Sequence, residues 1–410
     1  MARAGRLTVA EAIRSLQAVD SDCSCDEDDD STEISAMQAT LENSDLSESD
    51  SDDDSDLPDF RNDYGGQSSS NQWDTLSSRA GVTWKRVSGT TNRGRAAAEN
   101  VFSERSGPTS YSQRGVKSDS PLSAFRLFVD EPMLRSILKF TIKHGQADDA
   151  SFSVDLRELE KFIGLQIARG VLVGKNTPIH QLWSREWGYP IFANTMSRDR
   201  FKVLMKHLRF DNFSTRRERR QADKFCLISE TWNDFIENCK RCYIPSFDLT
   251  IDEQLFPCKT RCPFIQYMPN KPDKFGMKFW LLVDASSKYL CNGKPYLGKD
   301  PTRNKGNDLP ADVCLWLMRP FFKKGYNVTM DNFFTSVNLA EKLKAEKTTL
   351  LGTIRKQRKE VPKIEAMMKD KPLHSSEVYL SPSNTTLTIY KTKKAKLVYL
   401  LSSMHKTVFR

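Results

Sequence analysis

The chain has 410 residues, 38% of them hydrophobic and 10% aromatic, with Lys+Arg 62 against Asp+Glu 53 and a formal net charge of +9. That length suits about two domains with tails, and the modest apolar share leaves part of the chain unable to bury a core. There is no run of 18 apolar residues to span a membrane, no secretory apolar region near Met1, and the nine scattered cysteines suit a reducing compartment, so an intracellular protein without a membrane partner is expected.

The charge is divided along the chain. Residues 1–75 hold 20 Asp+Glu and 4 Lys+Arg, a net of −16, which leaves +25 for the remainder. An acidic tail on a basic body fits a protein that binds a polyanion, nucleic acid first among them, while the plainer reading is a surface that its basic residues merely solubilise. Residues 1–120 read as a disordered acidic tail and linker, because SDCSCDEDDDSTE and SDLSESDSDDDSDLPD have almost nothing to bury. Ser47, Ser49, Ser51 and Ser55 precede acidic residues and suit an acid-directed kinase, as they equally suit a solvated spacer.

Residues 121–246 read as mainly helical. Asp130 can cap a helix with Pro132 in its first turn, followed by Met133, Ile137 and Phe140. Asp155 with Glu158 makes a capping-box pattern before Leu156, Leu159, Phe162, Ile163 and Ile167. A third helix is expected from Ser197, with Phe201, Leu204, Met205 and Leu208 on one face, and a fourth through Trp232, Phe235 and Ile236.

The period changes at Phe247. Phe247, Leu249 and Ile251 alternate with Asp248, Thr250 and Asp252, as in a strand. KFGMKFWLLVD follows as a second strand, SSKYLCNGKPYLG continues it through a turn, and Asn292-Gly293 is a further turn signal. A helix through ADVCLWLMRPFFKKG, stopped by Gly325, precedes a strand YNVTMD, a helix SVNLAEKLKAE and a strand TTLLGTI. Strands followed by helix–strand alternation give a mixed α/β sheet, so the fold class is α+β with an α/β core.

Asp252 and Asp331 each end an apolar alternation and precede a loop, where α/β sheets place their chemistry. Two carboxylates brought together there would form a hard oxygen site suited to magnesium (Mg2+), and a pair of such ions can drive phosphodiester cleavage. A strand-end Asp alone is also an ordinary turn former.

LTIDEQL, RCPFIQYMPNKPDKFGMKFW, NGKPYLG, VTMDNFFTS, GTIRK and LVYLLSS, with MSRDRFKVLMKHLRFDN upstream, resemble the piggyBac family of DDE transposases and their domesticated derivatives over roughly residues 121–405. The resemblance implies a nuclear protein with a helical dimerisation and DNA-binding region at 121–246, a homodimer as partner, and a partial RNase H-like catalytic core at 247–360. Residues 361–410 would begin the family's insertion segment. It implies double-stranded DNA as partner rather than a small-molecule substrate, and metal-dependent cutting and joining of that DNA, with Asp252 and Asp331 as the first two catalytic and metal-holding residues. Asp284 reads as a hairpin residue, not a ligand. The family's third Asp follows a GGVD-like motif, and the sequence ends at Arg410 without one; no Asp or Glu follows Glu377. The expectation is therefore a DNA-binding protein defective in catalysis, against the alternative of an active or trans-complemented transposase. An incomplete core would also leave strand faces uncovered.

Ten Lys/Arg against four acids between Arg198 and Lys224 single out Arg198, Arg200, Lys202, Lys206, Arg216, Arg217, Arg219 and Arg220 as DNA-binding candidates. RKQRK (355–359) and KTKKAK (391–396) are further basic clusters, readable as DNA contacts, import signals or plain exposed turns. Cys239-x-x-Cys242 and Cys258-x-x-x-Cys262 lack a nearby histidine pair and read as unrelated thiols rather than a zinc site. Trp183, Trp187, Trp232 and Trp280 read as core.

Overall fold

The computed structural model describes residues 74–87, 101–172, 177–258, 260, 262–269, 271–298 and 308–405. The acidic runs within 1–73 and their serines lie outside the described residues. The chain divides into two units, Pro108–Tyr243 and a second made of Met1–Gly107 with Ile244–Arg410.

The first unit is helical. It includes α1 (Ser110–Gly115), α2 (Pro121–Phe128), α3 (Glu131–Asp148), α4 (Leu156–Leu172), α5 (Ile179–Leu182), α6 (Pro190–Thr195), α7 (Arg198–His207), α8 (Arg216–Ala222) and α9 (Ser229–Cys242). The expected caps form. Asp130 Oδ1 accepts from the Met133 amide at 3.1 Å, Asp155 Oδ1 from Glu158 at 2.7 Å, and Ser197 Oγ from Arg200 at 3.2 Å, each satisfying an otherwise unpaired helix-start donor. Phe162, Leu165, Phe192, Phe201 and Leu204 build the core, with the Trp183 ring between Phe192 and Phe201 at 5.3 and 4.9 Å. Trp187 is not core: it stands 79% exposed. Helix α1 also corrects the expected linker, since Thr109 caps residues that showed no apolar period.

The second unit is built on one sheet. Its strands are β1 (Thr75–Ser77), β2 (Thr83–Arg86), β3 (Asp248–Pro257), β4 (Ile265–Tyr267), β5 (Phe275–Asp284), β6 (Leu290–Pro295), β7 (Asn327–Met330), β8 (Thr349–Thr353), β9 (Ser376–Leu380), β10 (Thr386–Lys393) and β11 (Lys396–Ser402). The order is β1-β2-β9-β10-β11-β8-β7-β3-β5-β4, with β6 also on β5. At its centre β3, β7 and β8 run parallel, while β5 and β6 continue antiparallel on the other side of β3. The first and fourth core strands, β3 and β7, are thus neighbours, as the RNase H-like arrangement requires. Helices α10 (Leu309–Met318) and α11 (Val337–Ala345) lie between these strands in sequence. Pro320 follows α10, so the expected longer helix becomes a short 3-10 turn at Arg319–Phe321. A short helix, α12 (Glu365–Lys369), precedes β9.

The two faces of the central strands differ. Leu249, Ile251, Leu282, Val328, Met330 and Leu350 share one core with Cys314 and Leu317 of α10 and Leu339 and Leu343 of α11. On the opposite face Thr250, Phe279, Leu281, Val283, Thr329 and Leu351 are only half-buried. Strand alternation puts each set on its own side.

Two local readings are corrected. Asn292-Gly293 is not a further turn: both lie within β6, where buried Asn292 donates to the Leu317 carbonyl at 2.8 Å, and the one reversal between β5 and β6 is the expected turn after Asp284, at Ala285–Lys288. Residues 75–86, expected in the linker, form a hairpin with Leu76 opposite Trp84, whose β2 strand pairs with β9. Trp84 is fully buried there, which supplies the apolar anchor that so short a hairpin needs.

Candidate active site

Strands β3 and β7 pair in parallel with Ile251 opposite Met330. The residue after each is a carboxylate, so the register sets Asp252 and Asp331 side by side on the half-buried face; Asp331 follows the end of β7, but Asp252 does not precede a loop as expected, because β3 runs on to Pro257 with Asp252 opposite Leu281 of β5. Both are exposed. Asp252 Oδ1 accepts from the Glu253 amide at 2.7 Å. Asp331 Oδ1 accepts from the Phe333 amide at 3.1 Å, and the Asp331 carbonyl accepts from Thr335 Oγ1 at 2.7 Å. This turn packs against Gly352 of β8, where a Cβ would stand 2.3 Å from Thr335 Oγ1 and 2.5 Å from the Met330 carbonyl oxygen. Only glycine permits that approach.

The electrostatics are those of crowded carboxylates. Loss of hydration at the strand end raises the Asp331 pKa above the ordinary value, the Phe333 amide opposes the rise, and the charges of Asp252 and Glu253 add to it. A divalent cation would relieve that repulsion, and two carboxylates with water and phosphate oxygens are donors that Mg2+ accepts. Among the described residues no group of three or more His, Cys, Asp or Glu side chains is placed to hold a metal ion.

The site has two charged neighbours, of which the first, Glu253 with Lys278, is not singled out by the sequence and the second is. Glu253 is turned to the opposite face by strand alternation, and Lys278 Nζ lies 2.5 Å from its Oε2. Lys278 is 13% exposed and sits 5.9, 5.9 and 5.5 Å from the ring centres of Trp280, Tyr296 and Phe333. The second neighbour is the loop after β8. Arg355 Nε donates to Asn332 Oδ1 at 3.0 Å, and Arg358 Nη2 donates to the Phe333 carbonyl at 3.1 Å. The RKQRK cluster therefore stands against the residues that follow Asp331. Burial and then the charge of Arg358 lower the Arg355 pKa from its usual value, so an anion there would be favoured.

Asp284 is structural, as its hairpin reading anticipates. It is fully buried and accepts from Ser246 N and Oγ, Ser286 N and Oγ, and Ser287 Oγ. Burial alone would raise its pKa; these bonds outweigh that and hold it well below the carboxylate range. Lys391, first of the KTKKAK cluster, is also structural: it is buried and its Nζ donates to the carbonyls of Met368, Lys369 and Lys371.

In the helical unit five of the eight basic candidates stand against carboxylates. Arg200 holds Glu158, Lys206 holds Asp148, and Arg216 and Arg219 both hold buried Asp211. Arg198 lies 3.4 Å from Asp199, and Lys202, Arg217 and Arg220 are exposed. The cysteine pairs do not form one cluster of ligands in either unit: Cys239 and Cys242 are buried in α9, and Cys258 and Cys262 belong to the sheet unit.

A family described as Transposase IS4 matches residues 120–410. The human PiggyBac transposable element-derived protein 3 is 24% identical over 251 residues, covering 58% of this chain and 40% of its own length. The human PiggyBac transposable element-derived protein 2 is 25% identical over 249 residues, covering 59% and 41%. This chain thus spans about two-fifths of the length of these relatives. The solved piggyBac transposase synaptic complex with hairpin DNA aligns with a TM-score of 0.67 at 34% identity, over 73% of this chain and 63% of that one. With two carboxylates side by side on neighbouring strands of a sheet of this order, and a match running from the helical unit to the last strand, the chain belongs to the piggyBac family of IS4-type transposases.

Proposed function

We propose that this chain is a transposase-derived, nuclear DNA-binding protein that brings a duplex to Asp252 and Asp331, with Mg2+ as the cation those residues hold. The observation that carries the reading is the β3–β7 register, which sets two carboxylates together beside the Arg355–Lys359 loop. The similar solved transposase is a complex with DNA, which supports the choice of polymer. A divalent ion there, when bound, would polarise a phosphodiester oxygen and lower the pKa of an attacking water.

The chain's own residues do the remaining work. Asp252 and Asp331 supply anionic oxygens, Thr335 and Gly352 fix the turn that aims Asp331, and Arg355 and Arg358 meet phosphate oxygens. Glu253 stays with Lys278. Two carboxylates offer few anionic oxygens for a pair of divalent ions, so DNA binding exceeds turnover in residues 1–410, with an active transposase as the alternative.

The test uses the purified 410-residue chain with a labelled duplex, with and without Mg2+. Salt-sensitive binding is expected, retained in Asp252→Asn and Asp331→Asn, without nicking above the level of those variants. Mg2+-dependent nicking that both substitutions abolish would establish the alternative. Absence of duplex binding would remove the proposal.

A further inference from the structure

The hairpin β1–β2 makes a set of contacts that its role as a sheet edge does not require. Its turn, closed by Ser78 and by Gly81 at φ 78°, reaches the basic loop: the Ala80 amide donates to the Lys359 carbonyl at 2.9 Å, and Arg79 Nη2 donates to the Gln357 carbonyl at 2.5 Å. Trp84 Nε1 donates to the Glu360 carbonyl at 2.9 Å. Arg86 anchors the other end, with Nε and Nη2 donating to Glu377 at 2.8 and 2.9 Å. Three donors of the hairpin, on Arg79, Ala80 and Trp84, thus hold the carbonyls of Gln357, Lys359 and Glu360. The same loop sends Arg355 and Arg358 to Asn332 and Phe333, and Phe333 donates its amide to Asp331.

We infer that the hairpin of residues 75–86 is a strap that positions the Arg355–Glu360 loop beside the Asp331 strand end, with Trp84 and Arg79 as positioning residues for the phosphate contacts of Arg355 and Arg358. The inference rests on the proposed DNA-facing role of that strand end. Its structural half stands on contacts alone. A five-residue basic loop would otherwise wander, since each unfixed residue retains conformational entropy of about 1–2 kcal/mol. Carbonyls held by the hairpin fix the loop backbone, and with it the places of the Arg355 and Arg358 guanidinium groups against Asn332 and Phe333; an ordered pair of charges binds a phosphate without first having to be ordered.

The experiment compares the 410-residue chain with Trp84→Phe, Arg79→Ala and the double variant. Phenylalanine keeps most of the buried ring and removes only the donor, and Arg79 lies at the exposed turn, so the fold is retained; thermal unfolding checks this. Hydrogen exchange is followed at the amides of Arg358 and Val361, which bond to the Arg355 and Arg358 carbonyls within the loop. Exchange should quicken by about fivefold for each lost hydrogen bond. The slope of log affinity against log salt, for a labelled duplex, should fall by about 2 if both arginines leave the phosphates. Unchanged exchange at those amides in the double variant overturns the strap. Faster exchange with an unchanged salt slope overturns the positioning role. A wild-type chain that binds no duplex removes the DNA reading, while quickened exchange would still establish the strap.

Discussion

The two arginine-rich stretches of this molecule differ in what their charges meet. Between Arg198 and Lys224, five of the eight candidates stand against carboxylates: Arg198 against Asp199, Arg200 against Glu158, Lys206 against Asp148, and Arg216 and Arg219 against Asp211. In the Arg355–Lys359 loop, Arg355 donates to Asn332 Oδ1 and Arg358 to the Phe333 carbonyl, beside Asp331. The first stretch has more positive residues, but a phosphate that claims five of its eight candidates must displace a carboxylate. Density of charge along a sequence is therefore a poor guide to charge that a partner can use.

The largest effect that would sharpen this contrast is on stability. Asp211 is buried between two guanidinium groups, so Asp211→Asn should destabilise the helical unit by about 3 kcal/mol, because removing one partner of a buried pair leaves the others uncompensated. Urea denaturation followed by intrinsic tryptophan fluorescence measures it, and an unchanged midpoint would mean those arginines are available after all. Next, Arg355→Ala with Arg358→Ala should weaken duplex binding by roughly tenfold to a hundredfold at moderate salt, with unfolding unchanged. Equal or greater loss in Arg198→Ala with Arg217→Ala would break the comparison in favour of the helical stretch. Fluorescence anisotropy titrations at several salt concentrations distinguish the two.

A smaller effect concerns pH. His144 Nδ1 and His207 Nδ1 lie 3.1 Å apart, so one must donate and the other accept, and both cannot carry a charge. Burial lowers both pKa values; Arg209 adds to this for each, Arg216 for His144 and Lys206 for His207, while Asp148 opposes. A lowered histidine pKa means the unfolded chain binds the proton first, so stability is complete above the unfolded value of about 6.5 and declines as pH falls below it. Thermal melts of the wild type should show that decline, and His144→Gln should flatten it. Smallest of all is Asp331→Asn. The raised carboxyl pKa means wild-type stability declines as pH rises from the ordinary carboxylate value through the raised one, so the variant should melt slightly higher at pH 7 and no differently at pH 3.

Much of the core was legible because its signals are local. Leu249 and Ile251 alternate up to Asp252, apolar residues run up to Asp331, and the caps at Asp130, Asp155 and Ser197 need only three residues of context. What was hidden depends on distant partners. Thr-Leu-Ser and Thr-Trp-Lys-Arg are too short to show a period, and the strand that receives Arg86 lies almost 300 residues downstream, so the hairpin reads as linker. Asn292-Gly293 has the residues of a tight turn, yet pairing with β5 and the Leu317 carbonyl keep it extended. The carboxylates that hold Arg200 and Arg216 come from Glu158 and Asp211, which a count of net charge treats as mere subtraction.

The Arg86–Glu377 link joins residues 291 positions apart. During synthesis from the amino end at about 5–20 residues per second, β2 leaves the ribosome some tens of seconds before the strand it must join. Trp84 and its neighbours pass that interval without their native shelter. Among the described strands, the first pair translated is thus obliged to wait for nearly the last, and shielding by a chaperone would matter more for this hairpin than for any other stretch of the sheet.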